Sequence, residues 1–474
     1  MFAGRLMINY NSNMKFPKHM IFVTALAAVI ALTGCKKEQG CTDPTATNFD
    51  VDAEEDDGTC VYAESNETDF SMSFAANGNE VADPGVDADN LVPTNTISDG
   101  VASSDSWFDN VTYRGAFSGT PWTDGWTLFS GYQPTAGATT VDVTGTIAMD
   151  GETIDWTAEN TYLLDGLCFV NDGGTLNIEA GTVIKGKSGQ AESASALVVA
   201  RGGTINANGT AAAPIVMTFE TDPLDGSTAS NTRGQWGGLI VLGNATLNSS
   251  PGETAIEGIP TNEPRGLYGG GDDADNSGSI SYVSIRHGGT DIGAGNEING
   301  LTLGGVGTGT MIDYVEVIGN ADDGVEFFGG TVNTKHLLTA YCGDDSFDYD
   351  EGFRGKGQFW CTVQSDDGEG DRGGEHDGGT DPETAMPYGI PTIYNATYIG
   401  NSGGRTITFR DNAGGHYNNS IFVHFDKGID IEDLADGEDS YSRFQNGDLS
   451  LNNNTFGDIN AGMESFEIFT ISVP

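Results

Sequence analysis

Positive charge is what this 474-residue chain has least of: 20 Lys+Arg stand against 69 Asp+Glu, a formal net charge of −49. A nucleic-acid binder needs a basic footprint that displaces counterions, so that class of partner is excluded. Long apolar runs are also missing. The one clear run, Met20–Leu32, has 13 residues, too short to span a bilayer and suited to the apolar stretch of a signal peptide. Cysteine is scarce, at six residues. Helical periodicity is absent after residue 35, which argues against bundles and coiled coils. No Gly-x-Ser-x-Gly, phosphate-binding loop or dinucleotide fingerprint stands in a strand–turn–helix context, and no His pair has metal spacing.

Glycine, by contrast, is abundant: 69 residues, about twice the usual share of ~7%. With an ordinary apolar fraction, this describes a large core of short strands and many turns rather than a disordered acidic tail.

Lys15 and Lys18 precede the apolar run, which ends in Leu32-Thr33-Gly34-Cys35. That ending resembles the lipobox of bacterial lipoproteins, and the resemblance implies that residues 1–34 are removed, with Met14 as the true start, and that Cys35 carries the lipid. Cleavage deletes Arg5, Lys15 and Lys18 and no acid, leaving a charge of about −52 (−49 − 3). The expected location is the outer membrane or cell surface, with the membrane reached through the anchor. Export permits disulfides. Cys41 and Cys60 bracket an acidic segment with nothing to build a core, so a Cys41–Cys60 staple is expected to hold an anchored module over 35–62. Its acids fail the EF-hand pattern, since Asp57 occupies position six and no Glu closes the loop. The segment resembles the short GCTDPxAxNYxxxAxxDDGSC module of marine Bacteroidetes surface proteins. Cys168, Cys342 and Cys361 are an odd set, so at least one is free or pairs outside the chain. Ideal coils would put Cys342 and Cys361 about 11 Å apart at Cα, too far for a bond without a bulge.

Self-similarity points to a solenoid. TLNIEAGTVI (175–184) aligns with ALVVARGGTI (196–205) at an offset of 21, and GLIVLGNATLN (238–248) with 196–206 at 42, read as two periods with PIVMTF in the skipped one. Units of about 21–22 residues, each with three short strands and three turns, define a right-handed single-stranded parallel β-helix. A sandwich would not keep such an offset, and propeller blades need about 40–50 residues. SYVSI (281–285) and DYVEV (313–317) differ by 32, which places a loop of about ten residues between them. Residues 63–140 are expected to form a linker and an N-terminal cap, and 141–474 the β-helix, with a C-terminus that stops abruptly. Trp122 and Trp126 suit either a cap over the open end of the coil or a sugar-stacking platform.

From Asp322 the period tightens. Asp322-Asp323, Asp344-Asp345 and Asp366-Asp367 recur at steps of 22. At that period the pairs stack at ~4.8 Å, Glu326 lies over Asp348, and Val325, Phe347, Phe327 and Tyr349 point inward. Such columns of carboxylates cannot all stay ionised without a counter-charge. Ca²⁺, with six to eight oxygen ligands, is the expected cofactor, on Asp322, Asp323, Asp344, Asp345, Asp348, Asp350, Asp366 and Asp367. Asp272, Asp273 and Asp275 form a weaker candidate loop, with Ser284 where a closing Glu belongs. The competing reading is a set of Asx turns with carboxylates in water.

From about residue 160 to 435 the chain resembles the pectate-lyase-like β-helix surface proteins of Bacteroidetes, through GTLNIEAGTVIKG, QWGGLIVLGNA, ISYVSIRHGG, EINGLTLGGVG, DDGVEFFGGTVN and DDSFDYDEGFRGKGQFW. The resemblance implies a surface-exposed, calcium-stabilised β-helix for adhesion or binding of anionic glycans. It also implies an alternative, a Ca²⁺-dependent polysaccharide lyase, in which Arg354 is the candidate base and Arg372 a second arginine beside the acids. Arginine is a poor base at its free pKa, and charge balance is the competing role. An inverting glycoside hydrolase is weaker still, because the Gly-His-Gly and Arg-Ile-Lys motifs that accompany its Asp pairs are not intact here. His287 and His376 lie in Gly-rich turns.

Overall fold

A computed structural model describes residues 73–472 apart from 191–192, 291–297, 380–381 and 436, together with the backbone of 39–40 and 55–56. The chain divides into two units, 1–64 and 65–474. In the first, Gln39–Gly40 pairs in parallel with Glu55–Asp56. The expected leader, Cys35, Cys41 and Cys60 lie outside the described residues.

The second unit is a parallel β-helix whose main sheet joins 28 strands among the described residues. Its strands stack in three faces. On the first, Thr175–Ile178, Thr204–Asn208, the start of Gly278–Arg286, Met311–Ile318 and Asn333–Ala340 follow one another. The second continues those long strands after a bend, for example Val315↔Leu337 and Leu338↔Cys361. The third runs through Ala196–Val199, Leu239–Leu242, Leu301–Gly304, Val325–Phe328, Phe347–Asp350, Arg372–Asp377, Arg405–Arg410 and Lys427–Glu432. Such a coil has few long-range choices: alternate side chains point in, and right-handed crossovers close it.

Two period readings change. Strand 175–178 pairs with 204–207, a step of 29, so 175–184 and 196–205 belong to different faces. Their likeness is strand–Gly turn–strand chemistry repeated one face on. The step of 42 from Leu197 to Leu239 is one turn, with Ile215–Phe219 as its second face. The step of 32 between 281 and 313 does hold.

The interior is packed with stacked rings: Phe327 on Phe353 at 4.4 Å and Phe347 on Trp360 at 4.7 Å between centroids. Cys168, Cys342 and Cys361 are buried free thiols. Leu338 pairs with Cys361, so Cys342 is out of register for a bond with it. Burial pushes Cys168 up to about 11 and Cys342 up to about 12.

The bend between the first two faces is a column of left-handed residues: Tyr282, Tyr314, His336, Phe359, Asn395, Asn419 and Asn453, all with φ between 49° and 61°. Tyr282 stacks on Tyr314 at 4.4 Å, and Tyr314 on His336 at 4.1 Å. The segment from 73 onward does not cap the N-terminal end as expected. Phe74 packs on Phe456 and Phe469 of the last coils, and Glu80–Val81 adds a strand beside Thr455 and Phe456. The chain then runs back along the bend as a strap. Trp122 sits edge-on to Tyr314 and His336, and Trp126 edge-on to Tyr282. Both tryptophans therefore cover the flank, where a ring ladder replaces the usual polar corner.

Candidate functional site

The third face positions the acids. Val325, Phe327, Phe347 and Tyr349 point inward and are buried, so the alternating partners point outward in one row: Glu326↔Asp348↔Glu375↔Thr408↔Asp430. The step from Val325 to Phe347 is 22, and the next, Phe347 to Gly374, is 27. Five extra residues bulge out in the loop 364–371, where Gly368 and Gly370 both take φ of +92°.

That bulge corrects the third Asp pair. Asp371 and Arg372, not Asp366 and Asp367, come beside Asp344 and Asp345. Asp366 is exposed. Asp367 binds Arg233 at 2.8 Å, and that guanidinium holds its carboxyl far below the usual range. Asp367→Asn should therefore leave any Ca²⁺-induced rise in melting temperature unchanged and cost no more than about 1 kcal/mol, a pair of results that thermal melts with and without the ion would check.

The remaining acids gather closely. Carboxylate oxygens of Asp322, Asp323 and Asp344 lie within 4.8 Å of one another, as do those of Asp323, Glu326 and Asp348, and those of Asp344, Asp345 and Asp371. Shared members join these into one cluster across three coils. Asp323 Oδ1 accepts from the Asp345 N–H at 2.9 Å, and Asp345 Oδ1 from the Arg372 N–H at 2.6 Å. Asn299 donates to Glu326. Asp348 Oδ1 is buried without a hydrogen-bond partner among the described residues. Burial, then mutual repulsion, pushes Asp323, Glu326, Asp345 and Asp348 well above the carboxylate range. Asp350 is pushed up to about 7, chiefly by burial.

Two guanidiniums close one end of the cluster. Arg372 Nη1 is 3.2 Å from Asp345, 2.8 Å from Asp371 and 3.0 Å from Glu375. Arg410 reaches Glu375 at 2.8 Å and Asp377 at 2.7 Å. Burial lowers the pKa of Arg372, but its three carboxylates more than offset this, so it is held protonated. Arg354 is placed elsewhere. It pairs with Asp273 at 3.0 Å and donates to the Gly352 carbonyl at 2.8 Å, which makes it a charge-balancing residue in these contacts. The loop at 272–275 is likewise satisfied internally: Asp273 accepts from Thr246 N–H, Asp275 from Asn244 and Ser277, and Asp272 from Ala274 N–H. His376 is buried, bonded to Tyr417 at 2.7 Å, and pushed down to about 3 by burial. It is an interior residue.

Past the cluster on the same face lies an open trough of about 530 Å³. Arg372, Arg405 and Lys427 stack along it in register. Arg405 bonds Thr470 at 2.9 Å and pairs with Asp430 at 3.8 Å, and Asp371, Asp426 and Glu432 line the trough beside them. Lys427 is exposed, and its ammonium has no ion-pair or hydrogen-bond partner among the described residues, in a chain where acids outnumber bases more than threefold. Glu375, Asp371, Arg405 and Lys427 were missed in the sequence. The signal lay in the alternation Phe-Asp-Tyr-Asp against Gly-Glu-His-Asp, which carries the register that the Asp-Asp doublets do not.

Stacked parallel strands on three faces, with a charged row along one of them, define the parallel β-helix class. Residues 145–471 match the family described as pectate-lyase like beta helix domain, and the chain belongs to that family. No curated protein and no solved structure matches it. Among the described residues no helix is long and apolar enough to cross a membrane.

Proposed function

We propose that this chain is a surface lipoprotein, anchored through Cys35, whose calcium-stabilised β-helix binds anionic glycans for adhesion. The observation that carries the reading is the juxtaposition, on one face, of the buried carboxylate cluster and a trough whose lining of mixed charge includes Arg372, Arg405 and the unpaired Lys427. The cluster offers only hard oxygen donors, and Asp348 Oδ1 lacks a hydrogen-bond partner among the described residues, which suits Ca²⁺. Asp323, Glu326 and Asp348, whose oxygens come together, would hold the ion, which would neutralise them. The trough's cations would meet carboxylates or sulfates of the polymer, their attraction strengthened where water is partly excluded.

The lyase reading is weaker, because Arg354 faces Asp273 and Arg372 is held protonated by three carboxylates. The test applies residues 36–474 to pectate, alginate and a sulfated polysaccharide with and without Ca²⁺. Binding weakened at least tenfold by Lys427→Ala and by chelator is the expected result. A chelator-sensitive rise in ultraviolet absorbance from unsaturated product would replace the adhesin with a lyase. Polymer binding indifferent to both perturbations would sink the reading.

A further inference from the structure

The corner between the second and third faces holds a pocket that plays no part in that reading. Ala340 pairs with Val363, Val363 with Ile399 and Ile399 with Val423 at the ends of their strands. The next residues on those four coils, Tyr341, Gln364, Gly400 and His424, therefore stack in register as a floor. Backbone bonds keep the order: the N–H groups of Tyr341, Gln364 and Gly400 donate to the carbonyls of Val363, Ile399 and Val423, at 2.9 Å each. With Asp87 and Asp89 of the strap and Asp366 of the 364–371 loop, they line a space of about 520 Å³, a size typical of small-molecule sites.

Gln364 gives this hollow its chemistry. It is 6% exposed, and neither Oε1 nor Nε2 has a hydrogen-bond partner among the described residues. Its neighbours on the floor are occupied. Tyr341 packs on Phe129 of the strap at 6.0 Å between centroids, and His424 bonds Asp458 through Nδ1 at 2.8 Å and the Val86 carbonyl through Nε2 at 3.0 Å. Gly400 brings no side chain, and none fits, since an added Cβ would lie 2.7 Å from the Phe425 ring. A buried amide with donor and acceptor both unmet is a costly state.

Two unmet functions on one group select the ligand. An ammonium would satisfy Oε1 and leave Nε2 unmet. A carboxylate would do the reverse, and it would face Asp87, Asp89 and Asp366 in a lining that holds no Lys or Arg. Neighbouring hydroxyls both donate and accept, and so satisfy the whole amide. The carboxylates of Asp89 and Asp366 accept no hydrogen bond among the described residues and are free to take further hydroxyls. Burial, then the charges of these two residues, push the Tyr341 phenol up, so it remains a hydroxyl.

We propose that this pocket binds an uncharged saccharide residue, with adjacent hydroxyls on the Gln364 amide and others on Asp89 and Asp366. A further space of about 420 Å³ shares Ala88, Asp89 and Tyr341 with it and runs on past Thr123 and Asp124, which gives room for more than one sugar. The site does not rest on the reading of the trough, from which it differs in charge.

Calorimetric titration of the full chain in EDTA with cellohexaose, xylohexaose, mannohexaose, maltohexaose and chitohexaose tests it. At least one of these should bind the wild type. Gln364→Leu should weaken that binding at least tenfold and Asp89→Asn several-fold, while Lys427→Ala in the trough leaves it unchanged. Gln364→Leu keeps the volume and removes the unmet polar atoms, so it should melt no lower than the wild type, and its loss of binding is then not a loss of fold. Failure of every probe to bind the wild type overturns the proposal and leaves the amide to water. Binding that Gln364→Leu does not weaken, or that Lys427→Ala weakens as much, overturns it too.

Discussion

Metal-free, the protein should melt at a higher temperature at pH 6 than at pH 8, and millimolar Ca²⁺ should abolish or reverse that order. Asp323, Glu326, Asp345 and Asp348 have pKa values raised well above the carboxylate range by burial and then by one another. In the unfolded chain they ionise near pH 4. Between pH 4 and their folded values the native state therefore binds more protons than the unfolded one, and stability falls as pH rises. Asp350, at about 7, adds on the order of 1 kcal/mol between pH 6 and pH 8. The histidines work the other way: burial lowers His287 and His416 and holds His376 at about 3, and for His376 alone the move down to pH 6 loses about 1 kcal/mol of stability. Four buried carboxylates and Asp350, all shifted upward, act together against these histidines. A cation at the cluster needs the ionised forms, so its stabilisation is greatest at pH 8. Scanning calorimetry in EDTA and in Ca²⁺ decides this, and a metal-free melting temperature that climbs from pH 6 to pH 8 would contradict it.

The second large effect is expected at Glu316, where the strap is fastened. Glu316 is fully buried and accepts from the N–H groups of Leu128 and Phe129 at 2.8 Å each. It also takes the Ser284 hydroxyl, and Ser284 accepts from Arg286 Nε at 2.8 Å. Arg286 is itself 0% exposed. Glu316→Ala would leave two N–H groups and the Ser284 hydroxyl without their acceptor, and the buried Arg286 guanidinium without its counter-charge, a loss on the order of 3–5 kcal/mol. Glu316→Gln keeps one acceptor and should cost about 1–3 kcal/mol. Denaturant unfolding gives the magnitudes, and limited proteolysis should cut the Ala variant faster between 117 and 134. Equal cleavage rates in the variant and the wild type would mean that other contacts hold the strap.

Much of this was legible in the chain because a solenoid repeats local rules. The alternation Val-Glu-Phe-Phe over Phe-Asp-Tyr-Asp places Glu326 over Asp348 by strand geometry alone, and those strands pair at that step. Asp366-Asp367 misled because a loop can carry the same doublet as a strand end. Five inserted residues between Asp350 and Gly374 move the doublet off the sheet, and insertion length is invisible to a fixed period. Arg354 misled for a related reason: nearness in sequence to Asp348 and Asp350 says nothing about which face its side chain takes.

Scarce cations, abundant glycine and two-residue alternation were enough to define an all-β coil with an acidic face, since each follows from local chemistry. The strap, the ring ladder beneath it, the trough at Lys427 and the pocket at Gln364 were decided only by folding. Each joins residues from different coils, or from opposite ends of the chain, and coils of 22 to more than 60 residues bring such partners together through loop lengths that no repeat encodes.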